Sequence, residues 1–264
     1  MKGRSEYQRR MIDEQLLRDA QAATYESHLS PYHHRVEIGH YVKAIRPSPG
    51  DLVLDAGGGT GRVARAIATM GAHVVVADLS LQSLRTGLAK AHKGGLEVAQ
   101  VQCDLSALPF EKHVFNAVVC AEVLEHVPER ADRVAILASL IEATLPRGRI
   151  VVSVYGLNLK RRLLGQRTVV EGRNHDHYFS MGEFRSELEA AAVTARVKPA
   201  RLKLYPILTL LHMGVGPRLG HIGEQFDAAL SRLPASGHIV GSLLVGEITL
   251  PSDHTGGAPH LGSE

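Results

Sequence analysis

The run Val53-Leu54-Asp55-Ala56-Gly57-Gly58-Gly59-Thr60-Gly61-Arg62 constrains this chain more than any other stretch. An apolar strand passes directly into a glycine-rich turn and then into a helical pattern. Glycines at 57, 59 and 61 let the backbone take positive φ and come close to a ligand, which a Cβ would prevent. Asp55 stands at the carboxyl end of the strand, the edge at which open α/β sheets bind ligands. The stretch reads as a nucleoside-cofactor site. A dinucleotide turn, G-x-G-x-x-G, counted from Gly57 would need glycine where the chain has Arg62.

The pattern from Asp55 to Gly61 is instead D-x-G-x-G-x-G, and it resembles motif I of the class I S-adenosylmethionine-dependent methyltransferases. The chemistry agrees. That cofactor has no pyrophosphate to seat on a helix N-terminus, but it carries an ammonium and a sulfonium that favour nearby carboxylates and carbonyls. Asp55, Gly57, Gly59 and Gly61 are therefore expected at the cofactor.

Further acids follow at strand ends. His73 to Asp78 is a short β-branched run closing on a carboxylate, the pattern of a buried parallel strand. Asp78, with Leu79 beside it, is the expected ribose ligand, because one carboxylate accepts from two hydroxyls. A helix N-cap is the alternative reading of Asp78. After a third run, Leu96 to Gln102, the segment Cys103 to Phe110 resembles the adenine-binding turn of the same family. The resemblance implies that Asp104 accepts from the adenine amino group and that the Leu105 N–H donates to the ring; a solvated loop aspartate is the alternative.

The fourth strand, Val114 to Cys120, leads into Glu122-Val-Leu-Glu-His-Val-Pro128, which resembles motif IV of the type 11 small-molecule methyltransferases, a group that includes quinone O- and C-methyltransferases. The resemblance implies that Glu122 shapes the ammonium environment and that His126 faces the substrate, unless His126 only caps the next turn. Leu145-Pro-Arg-Gly-Arg-Ile-Val-Val-Ser-Val154 resembles the family's fifth-strand segment, with Arg149 in place of a glycine at an expected turn. Asn174 to Ser180 resembles its H-x-x-x-F-[ST] entry into a helix. This makes His175 and His177, with His126, the candidate general bases; orienting the loop is an equal explanation for the first two.

Strands alternating with helices from Asp51 to Tyr155 predict a doubly wound, parallel α/β sheet, and the resemblance implies a Rossmann-like, mostly parallel sheet of seven strands with strand 7 antiparallel. The expected division is an N-terminal helical cap over 1–50, a methyltransferase domain over 51–250 and a disordered tail over 251–264. An amphipathic helix from about Ser5 to Ala23 is placed to cover the cleft, and a second spans roughly Pro31 to Ile45. The segment from Gly156 to Ser180 reads as a substrate loop. Ala195 to Tyr205 and Ile239 to Leu250 are the expected sixth and seventh strands. Between them an apolar insert, 206–238, suits a greasy acceptor pocket, a membrane surface, a dimer interface or an extra packed helix.

Composition narrows the function. A formal charge of +3 with scattered basic residues gives no nucleic-acid footprint, and the basic cluster at Arg161-Arg162 reads as a solvated patch. No run approaches the roughly 20 apolar residues of a membrane span, and Met1 to Arg10 lacks the apolar core of a secretory signal. Two cysteines, Cys103 and Cys120, without metal-ligand spacing point to reduced thiols and a cytoplasmic protein. Among fifteen histidines, His175-Asp176-His177 offers two metal ligands but no third at a fixed spacing, so no metal is expected.

The expectation is methyl transfer from S-adenosylmethionine to a small acceptor, apolar or quinone-like, with O-, N- and C-methylation all open and a homodimer among the options. The rivals are a non-catalytic methyltransferase-like subunit and a nicotinamide-dependent oxidoreductase, the second disfavoured by Arg62, Asp104 and Glu122.

Overall fold

The computed structural model describes residues 2–29, 31–208 and 241–252. Three elements precede the sheet: α1 (Lys2–Gln21), a single 3₁₀ turn over Tyr25–His28, and α2 (Pro31–Ile45). Then come β1 (Leu52–Ala56), α3 (Arg62–Ala68), β2 (His73–Asp78), α4 (Leu81–Lys93), β3 (Val98–Gln102), β4 (Phe115–Ala121), α5 (Arg130–Ala143) and β5 (Thr144–Tyr155). The chain continues through α6 (Leu159–Leu163), β6 (Thr168–Glu171), β7 (Asn174–His177), α7 (Met181–Thr194), β8 (Arg201–Leu208) and β9 (Gly241–Thr249).

Seven strands form one sheet in the order β3-β2-β1-β4-β5-β9-β8. The first five run parallel, and β9 pairs antiparallel with both β5 and β8. This is the expected sheet with its antiparallel seventh member. Strand order reverses between β1 and β4, so the ends of these two strands diverge and open a crevice at the carboxyl edge. Alternating side chains supply both faces. Leu54, Val118, Cys120 and Val152 pack with α5 and α7, whereas Val53, Val74, Val119 and Val151 pack with α2 and α3.

Two local readings are corrected. The helix α5 stops at Ala143, short of the expected fifth-strand segment that opens at Leu145, and Thr144 already pairs with Phe115. The Pro146-Arg147-Gly148 interruption is absorbed as an irregularity inside β5, with Arg147 at φ 61°. Arg149 is consequently not in a turn. It pairs with Ala117 and Thr249, and its Nη1 donates at 3.1 Å to the Ile45 carbonyl at the end of α2.

The second correction concerns the expected loop from Gly156 to Ser180, which holds α6 and the β6–β7 hairpin, turned by Gly172 at φ 61°. Alternation is short there, and a two-residue turn with glycine first was the only signal. Of the expected insert, 206–208 belong to β8. Residues 209–240, with the expected start of the last strand at Ile239, and 253–264 lie outside the described residues.

A buried ion pair fastens α5 to α7. Arg133 Nε and Nη2 donate to the two oxygens of Glu187 at 3.0 and 2.6 Å, and Nη1 donates to the carbonyls of Val127 and Pro128. Glu187→Ala would strand the guanidinium in the core. A loss of about 3–5 kcal/mol is expected in urea unfolding, with the turn after His126 loosened at the same time.

Candidate active site

The crevice between β1 and β4 is walled into a cleft of about 1140 Å³, open solvent at its mouth included. Asp55, Gly57, Gly59, Asp78, Leu79, Asp104, Leu105, Glu122 and His126 all line it. Gly61 does not; at φ 71° it begins α3, and its N–H donates to the Gly58 carbonyl. The floor is backbone. Gly57 has φ 71°, and a Cβ there would lie 2.4 Å from Val123 Cγ2, so the two strand ends approach too closely for any side chain. Gly87 of α4 likewise leaves no space against the Thr60 carbonyl, 2.7 Å from a notional Cβ.

The acids are held by backbone N–H groups. Asp55 Oδ2 accepts from Ala64 at 3.0 Å, and burial raises its pKa to about 7. Asp78 accepts from Gly59 and Ser80, each at 2.8 Å. The cap of α4 is Ser80, whose Oγ accepts from Ser83, so Asp78 is not that cap. Burial lifts the Asp78 pKa against the pull of its two N–H partners. Asp104 accepts from Ser106 at 2.8 Å and from the Tyr7 hydroxyl at 2.7 Å. Burial also lifts the neighbouring Cys103 thiol to about 11, with help from Asp104 and Asp78, so it is not ionised near neutrality.

The roof comes from α1, through side chains that the sequence alone does not single out. Tyr7, Met11, Glu14 and Arg18 reach the cleft. Asp19 accepts from Ser80 Oγ at 2.6 Å and from the Gln82 N–H at 3.1 Å. Past the helix, Glu26 accepts from Thr60 Oγ1 and Arg65 and pairs with Lys90 at 3.1 Å, strapping the roof to the glycine turn.

Glu122 follows β4 at φ 57°, a left-handed conformation that costs a non-glycine residue about 1–3 kcal/mol. It is held there by its own N–H donating to the Ser153 carbonyl at 3.0 Å and by Arg62 Nη2 donating to Oε1 at 2.9 Å. Arg62 Nη1 donates to Glu37 at 2.8 Å. From the sequence, Arg62 had been only a missing glycine.

The three candidate bases separate. His126 Nε2 accepts from Arg18 Nη2 at 2.9 Å, since a guanidinium only donates. Its proton therefore sits on Nδ1, which faces the His175 carbonyl at 3.0 Å and Asp176 Oδ1 at 3.3 Å. Burial opposes charge on the ring most strongly, but Asp176 together with Glu14 and Glu125 raises the pKa on balance. His177 is committed elsewhere: Nε2 meets Glu183 at 2.9 Å and Nδ1 meets Thr168 at 3.1 Å, and it does not line the cleft. Glu183 falls to about 2, burial being overcome by His177 and Arg167. His175 does not line the cleft either. Its ring nitrogens are buried without hydrogen-bond partners, and burial together with nearby Arg10 lowers its pKa.

Glu125, inside the quoted motif but unassigned from it, is fully buried with neither oxygen hydrogen-bonded. Burial raises its pKa to about 8, with His126 pulling down and Glu122 pushing up. Its folded pKa exceeds the unfolded value of roughly 4.3. The cost is therefore absent below that value, grows with rising pH and is complete above about 8. Glu125→Gln is expected to gain stability on the native protein through that window, by up to about 1.4 kcal/mol per pH unit, in denaturation measured from pH 4 to 9. Among the described residues, no three His, Cys, Asp or Glu side chains are grouped to hold a metal, and no helix is long and apolar enough to cross a membrane.

A sequence profile described as a methyltransferase domain matches residues 53–148. The chain is 32% identical over 168 residues to a ubiquinone biosynthesis O-methyltransferase of Ralstonia nicotianae, covering 62% of this chain and 69% of that one. It is 33% identical over 125 residues to the protein of the same name from Xylella fastidiosa, covering 47% and 50%. Most alignments of this kind span about half the relative's length. In fold it resembles the Burkholderia thailandensis 1,6-didemethyltoxoflavin-N1-methyltransferase solved with 1,6-didemethyltoxoflavin and S-adenosylhomocysteine. The TM-score is 0.59 at 16% identity, over 91% of this chain and 88% of that one.

Proposed function

The chain belongs to the class I S-adenosylmethionine-dependent methyltransferases, and from that membership we propose that it methylates a hydroxyl of a small, apolar, quinone-like acceptor in the cleft beneath α1. The observation that carries the reading is the pair Arg18 and His126, a cation and an imidazole acceptor 2.9 Å apart in the same cleft that Asp55, Asp78, Asp104 and Glu122 line. The side-chain-free turn at Gly57 and the buried, immobilised Asp78 fit an adenosyl group. Asp78 would accept from the ribose, Asp104 and Leu105 would meet the adenine, and Glu122 would face the ammonium.

When bound, S-adenosylmethionine supplies an electrophilic methyl whose leaving group is a neutral thioether, so no acid is needed. The protein's task is to orient the acceptor, exclude water and remove one proton. His126 Nε2 takes the hydroxyl proton once Arg18 releases that nitrogen. Asp176 and the His175 carbonyl hold the Nδ1 proton and steady the imidazolium that forms. Arg18, freed from Nε2, is placed to stabilise the oxyanion, and it repels a protonated amine. The names of the curated relatives support an oxygen acceptor on a quinone ring. Exposed Leu159, Leu163 and Leu164 beside Arg161 and Arg162 support collection of such an acceptor at a membrane surface.

The experiment is transfer of labelled methyl from S-adenosylmethionine to a short-tailed hydroxyquinol ring and to an aliphatic amine. Label on the ring oxygen is expected. Cofactor binding without transfer to either would favour the non-catalytic alternative, and transfer to the amine alone would remove the role given to Arg18.

A further inference from the structure

Arg62, which closes the glycine-rich motif and braces Glu122, has no contact with the cofactor in the reading above. Its side chain is 6% exposed at the cleft wall. Burying a guanidinium is expensive, and one well-placed carboxylate offsets the cost. Arg62 has two, Glu37 from α2 and Glu122 from the turn after β4, so the three side chains sum to a formal charge of −1. Fully buried Tyr41 extends the cluster, donating to Glu122 Oε1 at 3.4 Å and meeting Ser153 Oγ at 2.8 Å. Two guanidinium N–H groups serve the carboxylates, and such a group carries five in a fork that matches a further carboxylate.

We propose that Arg62 binds the α-carboxylate of the cofactor's amino-acid end while Glu122 binds its ammonium, the two forming a reader for a zwitterion. The proposal rests on the cofactor reading given above. An amino acid presents opposite charges on one carbon, and the wall presents the complementary charges on groups 2.9 Å apart. S-adenosylmethionine carries one net positive charge from a sulfonium, an ammonium and a carboxylate, which balances the −1 of the cluster. The same contacts explain why Glu122 is kept at positive φ: relaxing its backbone would carry the acid away from the arginine. Arg18, the other cation lining the cleft, is turned to His126 and Glu14 instead.

The test is calorimetric binding of S-adenosylhomocysteine and of its decarboxylated analogue, which differ only in the carboxylate. Four proteins are compared: the native chain, Arg62→Gln, Arg62→Lys and Arg18→Gln. The native protein is expected to prefer the carboxylated compound by at least about 30-fold, the scale of a charge-assisted pair. Arg62→Gln should bring the two affinities within about threefold, Arg62→Lys should restore part of the preference, and Arg18→Gln should keep it. A preference unchanged in Arg62→Gln would overturn the proposal and leave Arg62 as a brace for Glu122. So would a preference lost in Arg18→Gln instead. Where Arg62→Gln fails to fold, a native preference below threefold overturns it, as does an Arg62→Lys protein that keeps the full native ratio. Failure of the native protein to bind either compound would remove the cofactor reading itself.

Discussion

Asp78→Ala lowers affinity for S-adenosylhomocysteine by about 100-fold or more, one of the two main effects expected, on cofactor binding and on turnover. The carboxylate is almost fully buried, and the N–H groups of Gly59 and Ser80 hold it immobile, so it enters the complex with little entropy left to lose. Each hydrogen bond from a ribose hydroxyl to an ionised acid contributes about 1.5–3 kcal/mol, and a diol makes two. Asp78→Asn keeps the shape but loses the charge, and it should fall between native and Ala. Since burial raises the Asp78 pKa, affinity should also decline in acid as this group protonates. Calorimetry with the unliganded melting temperature as a control separates binding from folding. An Ala variant that melts normally and binds within threefold of native would remove Asp78 from the ribose site.

His126→Ala lowers turnover on a hydroxyl acceptor by about 10²–10⁴-fold, the usual contribution of a positioned base, with cofactor affinity nearly unchanged. The sign of the pH dependence follows from the ring's surroundings. The base is the neutral imidazole, so rate rises with pH through the His126 pKa and levels above it. Against burial and Arg18, Asp176 is the first of the groups that raise that pKa, with Glu14 and Glu125 beside it. Asp176→Asn should therefore move the acid limb of the profile to lower pH while reducing the plateau. A profile that does not move in Asp176→Asn, or an Ala variant with native turnover, would assign proton removal elsewhere. His175 and His177 are poor substitutes, because neither reaches the cleft.

The succession of strands along the chain and the carboxyl edge of the sheet were legible because they depend on local signals. Apolar runs ending in Asp55 and Asp78, and glycines that must take positive φ, report on the backbone directly. Element ends were less legible. Thr144 joins a strand rather than α5 because Phe115 is there to pair with it, and no short-range pattern carries that information. The β6–β7 hairpin was hidden for a similar reason, its four-residue strands being too short to show a period.

Taken alone, the sequence determined that this chain builds a parallel sheet with a ligand edge, and it determined which acids stand on that edge, since strand ends and glycine turns are written in consecutive residues. Only the tertiary structure decided what those acids meet. Tyr7 reaches Asp104 across 97 positions and Arg18 reaches His126 across 108; Arg62 is drawn between Glu37 and Glu122. Such partners come together by packing helices onto a sheet, and the protonation state of a buried acid or imidazole depends on that packing, because desolvation and neighbouring charge act through space and not along the chain.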